Sequence, residues 1–293
     1  MSARHPVLPF AAILAAIALL SLMDAVMKGA SLVIGAYSTL LVRSVFGLAL
    51  AGPLWLSART GWPPPQTLKV HVLRGLVVTG MSFTFFWGLT RLPLAEAIAI
   101  SFTAPLAALY LAAIMLGERI GRGAVAASLL GLAGVAIIAL ARMEGEATPA
   151  SGWGMAAVLV SSLLYALNLV LQRRQALLAR PAEVSTFHQA VVLLALVLFA
   201  PWFFHSPGVR ETLLSVAAAV LSVVGAMIFA WAYARAETQA LAPLEYSGFL
   251  WAGLFGWLLF REPVTLPTLA GAALIVLGCW IAAPRKRPEL SSA

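Results

Sequence analysis

Asp24 and Lys28 stand four residues apart in an apolar run, so on a helix they share a face and can pair. Asp24 is the only aspartate in the chain. Ionisable groups are costly in hydrocarbon, and those that occur there mark solute or ion paths by default. The pair either reaches the headgroups near the outer end of its helix or touches solute in a central cavity. Arg43, in the middle third of the next run, needs a partner or a water-filled space and could hold a carboxylate. Glu96, Ser101, Glu245, Tyr246 and Ser247 fall one or two turns into two further runs. The two glutamates either take a proton in a coupled cycle, where burial makes their charge expensive, or stay ionised at headgroup level. His188 and Gln189 offer an interhelical hydrogen bond or a proton relay. Phe83 and Trp87 share a face, and Trp231 stands in a corresponding place later in the chain. Rings there form an interfacial belt or line a cavity suited to flat, apolar or cationic solutes.

Arrangements for bond-making chemistry are missing. No lysine follows a glycine, so a phosphate loop is absent, and neither HExxH nor CxxC occurs among four histidines and one cysteine. Cys279 has no partner for an internal disulfide. The expectation is a protein that is no enzyme, holds no cofactor or metal and needs no ATPase subunit. Passage of a solute remains, through a secondary transporter or a channel.

The elements that must position these groups are membrane helices. Apolar residues make up 62% of the 293 and charged residues 10%, too few to cover a soluble surface of this size. Basic residues come singly or in twos and threes between apolar runs, which orients helices in a lipid bilayer and leaves no stripe for nucleic acid. Division at charged and proline-rich breaks gives ten spans at roughly 8–30, 36–57, 68–89, 94–116, 123–141, 152–172, 184–204, 212–233, 239–260 and 266–283. The first run is long enough to be a span and lacks a small-x-small cleavage site before Asp24. With the N-terminus inside, Arg4, Arg59, Lys69, Arg74, Arg119, Arg122, Arg173, Arg174, Arg180, Arg235, Arg285, Lys286 and Arg287 all fall in cytoplasmic connections. Lys28, Arg91, Arg142, Arg210 and Arg261 fall outside, so both termini are expected to be cytoplasmic.

A shift of 144 residues superposes the chain on itself. Asp24 falls on Asn168, Lys28 on Gln172, Trp87 on Trp231, Ser101 on Glu245, and Gly117–Glu118 on Arg261–Glu262. The expected fold is all-α: ten transmembrane helices in an inverted 5+5 repeat, with residues 1–143 and 144–293 as the halves. Five is odd, so the second half enters the membrane upside down. Ala104, Ala108 and Ala112 match Gly248, Ala252 and Gly256, a small-residue stripe suited to close helix contact near the two-fold axis. Pro105 is expected to kink its helix. Glu118 and Glu262 read as helix caps.

These corners resemble the drug/metabolite transporter superfamily and, within it, the EamA-type transporters. The resemblance lies in Leu94 through Pro105 to Gly117–Glu118–Arg119, in Gly131-x-x-Gly134-Val135, and in Ala242-Pro243-Leu244-Glu245-Tyr246-Ser247-Gly248. It continues in Trp257 to Pro263 and in Gly271 to Gly278, and so covers essentially the whole chain. It implies a basket-like bundle with cytoplasmic termini, a central cavity lined mainly by helices one, three, four, six, eight and nine, and alternating access by rocking of the repeats. Within the family the chain looks most like bacterial exporters of aromatic and other amino acids. The expected function is therefore export of amino acids, of broad specificity, across a bacterial inner membrane by a monomer or weak oligomer. Trp87, Trp231 and Tyr246 would face the side chain of the solute. Asn168, Gln172 and Arg43 would meet its charged ends, with Asp24, Lys28, Ser101 and Glu245 completing the site. Export of drugs or sugar-derived metabolites, or a non-transporting membrane scaffold, are the alternatives.

Overall fold

The computed structural model describes residues 8–58, 61–104, 106–107, 110–111, 122–144, 149–233 and 244–282. Pro105, Ala108, Ala112, Gly117, Glu118, Arg119, Arg235, Ala242 and Pro243, on which several expectations rest, lie outside them. All secondary structure among the described residues is helical: α1 (Leu8–Ser57), α2 (Pro65–Leu89), α3 (Leu94–Ser101), α4 (Arg122–Glu144), α5 (Pro149–Leu178), α6 (Pro181–Val197), α7 (Ala200–Phe203), α8 (Val209–Tyr233), α9 (Gly248–Phe260) and α10 (Leu266–Ala282).

The first two expected spans form one 50-residue element broken at Gly35, whose φ of 79° and ψ of 156° are open to glycine and almost nothing else. A straight helix of that length would run about 75 Å, more than twice the hydrocarbon thickness. Instead the two arms fold back on each other. An Arg43 guanidinium nitrogen lies 4.0 Å from the Met23 sulfur, although residues twenty apart on a straight helix are about 30 Å apart. Local breaks interrupt other expected spans. The fourth leaves regular helix at Phe102 and Thr103 and is helical again at Ala104, and the seventh is divided into α6 and α7 just before Pro201.

Among the described residues, Leu8–Ser57, Pro65–Leu89, Ala150–Gln172 and Val209–Phe229 are long and apolar enough to cross a membrane. Leu129–Ile138, Ala182–Val197, Gly248–Phe260 and Leu266–Gly278 are shorter apolar helices. Leu163, Leu198, Trp202, Leu250 and Trp280 point outward, as suits a bundle whose solvent is lipid.

Packing joins α1 to α8, α2 to α5, α4 to α10, α3 to α9, and α1 to α6. Lipid supplies no hydrophobic drive between helices, so backbones must approach closely. At the crossing of α4 and α10, a Cβ on either Gly134 or Gly271 would stand 2.5 Å from the other's carbonyl oxygen. Leu40, Leu89, Leu94, Ile100, Val158 and Ile275 fill the core between these pairs.

Candidate functional site

The polar side chains inside this bundle gather in three places. We call proximal the end where α1 and α5 finish and α2 and α6 begin, and distal the end where α2 and α9 finish and α3 begins. His71 and Leu89, near the two ends of α2, are about 27 Å apart along its axis.

At the distal end Lys28, at the end of the first arm of α1, is buried. Its ammonium donates to the Leu92 carbonyl and pairs with the Glu262 carboxylate. The other carboxylate oxygen of Glu262 accepts from the Leu94 N–H at 2.8 Å, capping α3, and the Phe260 ring lies 5.2 Å from the ammonium. Glu262 is thus a cap, but of a helix distant in sequence. A carboxylate there satisfies an N–H that α3 cannot bond internally. Lys28 answers Glu262 rather than completing the expected pair with Asp24. The Trp87 ring is likewise covered: the Arg91 guanidinium stacks 3.4 Å from its centroid and donates to the Trp87 carbonyl at 2.9 Å.

In the middle, the charge that answers Asp24 is Arg43. Arg43 is 5% exposed, its Nε has no hydrogen-bond partner, and no oxygen of Asp24 comes within 4.0 Å. His188 of α6 feels both Arg43 and Arg74, and Tyr165 of α5 feels Arg74 and Glu245. Tyr165 is 39% exposed. Tyr246 meets Phe102 edge-on at 5.2 Å, and the two occupy equivalent positions under the 144-residue shift. Ser101 bonds back to the Ile98 carbonyl. Trp231 packs with the Ile13 and Ile17 cluster, and Gln172 is exposed.

At the proximal end five side chains form one buried chain. The Arg74 Nε donates to Asn168 Oδ1 at 2.9 Å, and another guanidinium nitrogen donates to the Gln175 side-chain oxygen. The Gln175 amide nitrogen contacts His71 Nδ1, and His71 Nε2 lies 3.0 Å from Glu183 Oε1. His71 is fully buried and stacks on Phe187 at 4.9 Å, almost parallel. Beyond Glu183 a cavity of about 350 Å³ opens, lined also by Trp62, Pro63, Pro64, Leu178 and Arg180.

The structure therefore sets Asp24 and Arg43 against each other and Glu245 near Tyr165, while Asn168 belongs to the proximal chain and Lys28 and Trp87 to the distal closure. Arg74 corrects an expectation: it is not in a connection but ten positions into α2 and buried. A residue so placed can be held only by partners such as Asn168 and Gln175, so it says nothing about which side is cytoplasmic. His71, Gln175 and Glu183 were not singled out from the sequence. Their signal was present in the period of α2, since His71 and Arg74, three apart, share a helix face. Among the described residues no cluster of histidine, cysteine, aspartate and glutamate could hold a metal ion.

The EamA-like transporter family matches this chain twice, at residues 8–140 and 152–283. The pseudopaline exporter CntI of Pseudomonas aeruginosa (strain UCBPP-PA14) is 27% identical over 262 residues, covering 88% of this chain and 90% of that protein. A riboflavin transporter of Rhizobium johnstonii is 28% identical across 79% of this chain and 74% of its own length. An S-adenosylmethionine uptake transporter of Rickettsia felis is 24% identical across 71% and 69%. A solved crystal structure of 25% sequence identity superposes with a TM-score of 0.62, covering 94% of this chain and 96% of that one.

Proposed function

Because this chain belongs to the EamA-like transporter family, and so is a membrane transporter and not an enzyme, we propose that it is a secondary exporter of amino acids. The observation that carries the reading is the interior placement of Asp24 and Arg43. They are opposite charges within each other's influence, not joined directly, with the guanidinium Nε unpartnered. A buried charge held apart from its counter-charge is expensive. An ammonium against Asp24 and a carboxylate against Arg43 would relieve both, and an α-amino acid carries both groups on one carbon. Tyr165, Tyr246 and Phe102 then supply ring surface for a large neutral side chain.

The proposal includes ten spans in two inverted repeats, in a bacterial inner membrane with both termini cytoplasmic. Support comes from the double family match and from the packing. Under the 144-residue shift the α1–α8 pairing becomes α5–α2, while α4–α10 exchanges into itself. That is the pattern of a two-fold axis through the bundle. With this orientation the proximal end faces the cytoplasm, and transport alternates between release of the proximal and of the distal contacts.

Purified protein in liposomes should carry labelled tryptophan or phenylalanine down a gradient, and both Asp24→Asn and Arg43→Gln should reduce the flux by at least about tenfold. Absence of flux above empty liposomes for a panel of neutral amino acids would refute amino-acid cargo. The relatives that carry pseudopaline, riboflavin and S-adenosylmethionine give a second reading, a larger metabolite. A thermal-shift panel separates the two, because a bound solute raises the unfolding temperature by mass action.

A further inference from the structure

Gln175 is the pivot of the proximal chain, because its two ends face groups of opposite demand. A guanidinium can only donate hydrogen bonds, so the Gln175 side-chain oxygen must face Arg74 and its NH2 must face His71. The NH2 donates, so His71 Nδ1 must be unprotonated and accepting. The remaining ring nitrogen, Nε2, then carries the hydrogen and donates it to the Glu183 carboxylate at 3.0 Å. Every bond in the chain is consistent only with a neutral imidazole. We propose that His71 is a proton-binding site, and that loading it releases Arg74 and unlocks the proximal end of the transport path.

The step balances simply. A proton from solvent joins the lone pair of Nδ1, and no other bond is made or broken covalently. Nδ1–H now confronts the NH2 of Gln175, two donors face to face. The amide turns over to offer its oxygen to Nδ1–H, which leaves NH2 against the guanidinium, and the second conflict expels Arg74. The Gln175 oxygen passes from Arg74 to His71. Arg74 keeps Asn168 and gains freedom toward His188 and Tyr165. One proton thereby moves a positive charge toward the place where a solute carboxylate would sit.

The surroundings favour this reading over a static core. The group facing His71 from α6 is the Glu183 carboxylate, which can accept from Nε2–H before and after the proton arrives. Arg74 of α2 lies two hydrogen bonds away. The group from α5 is the neutral Gln175, and Phe187 covers one ring face. Glu183 also borders the proximal cavity, with Arg180 on its rim, so a proton need cross only one side chain from solvent to reach a fully buried ring. Gln175 and Arg74 do not conduct protons onward; the imidazole binds the proton and the amide reports it.

The inference rests on the transport reading but can be tested without a solute. Ser101→Cys in a Cys279→Ala background places a single thiol in the interior. Its alkylation by a membrane-impermeant reagent from the proximal side should quicken about tenfold from pH 8 to pH 5, after correction for thiolate content. His71→Gln, which can donate to Glu183 and accept from Gln175 but cannot titrate, should hold the slow rate throughout. Gln175→Met should label fast at every pH. A pH-independent rate in the parent, or an unchanged pH response in either variant, overturns the proposal. Lack of amino-acid flux with intact pH-dependent labelling would refute the cargo alone.

Discussion

The two ends of the bundle are closed by different chemistry. The distal closure is an ion pair fixed to backbone: Lys28 holds Glu262 and the Leu92 carbonyl, and Glu262 holds the first N–H of α3. The proximal closure is a run of neutral donors and acceptors between Arg74 and Glu183. Strength at the distal end comes from opposite charges in a poorly hydrated place, while the proximal end depends on which way one amide points. Under the 144-residue shift the residues equivalent to His71, Arg74, Gln175 and Glu183 are Ser215, Ala218, Ser31 and Thr39. Ser215 and Thr39 bond only within their own helices. Positions made equivalent by the shift thus carry different side chains at the two ends.

The largest effect is expected from Lys28→Met. Breaking a buried pair costs about 3 kcal/mol, because the surviving carboxylate loses its counter-charge while still partly shielded from water. Thermal unfolding in detergent should show a fall of that size. Lys28→Met with Glu262→Met should recover most of it but remain lower by about 1 kcal/mol, the usual value of a lost N-terminal cap. Full recovery would mean that the Leu94 contact contributes nothing, and no loss in the single variant would remove the charge-based account of the distal end.

Next in size is His71→Ser, which gives the proximal end the residue found at the equivalent distal position. Gln175 and Glu183 each lose a bond in a buried place, and a cost of about 2 kcal/mol follows. It should be smaller than that of Lys28→Met, since no charge is stranded beyond Glu183, which borders a cavity. The reverse order, measured by the same unfolding assay, would show that the proximal chain is the main structural lock.

Helical class and transporter family were legible from the apolar runs and the corner motifs, because lipid leaves the backbone few options. The break at Gly35 was also in reach, as a gap between two spans. What composition concealed was partnership. Lys28 stands one turn from Asp24, and spacing suggested that pair; its true partner is 234 residues away in sequence. Arg74 read as a topological charge because its run of neighbours contains Lys69 and His71, which look like a polar flank. Only the placement of α5 and α6 against α2 turns that flank into an interior chain. Trp87 and Trp231 carried no marker to separate cavity from packing, since ring type and spacing are the same for both.

Ser31 sharpens the contrast at the smallest scale. It is the counterpart of Gln175, and its hydroxyl is buried without a hydrogen-bond partner. An unpaired buried hydroxyl costs more than the hydrogen atom that would replace it, so Ser31→Ala should leave stability unchanged or raise it by about 1 kcal/mol. At the proximal end the equivalent truncation, Gln175→Ala, removes two bonds and should do the opposite. If Ser31→Ala instead lowers the unfolding temperature, the hydroxyl has a partner in a second arrangement of the bundle. A candidate is then a carbonyl of α1 or α8, freed when the distal end opens. Slower solute release from that variant, with binding unchanged, would place Ser31 in the distal gate. Unaltered release together with raised stability would leave the proximal amide without a distal counterpart, and the two ends would differ in mechanism as well as in strength.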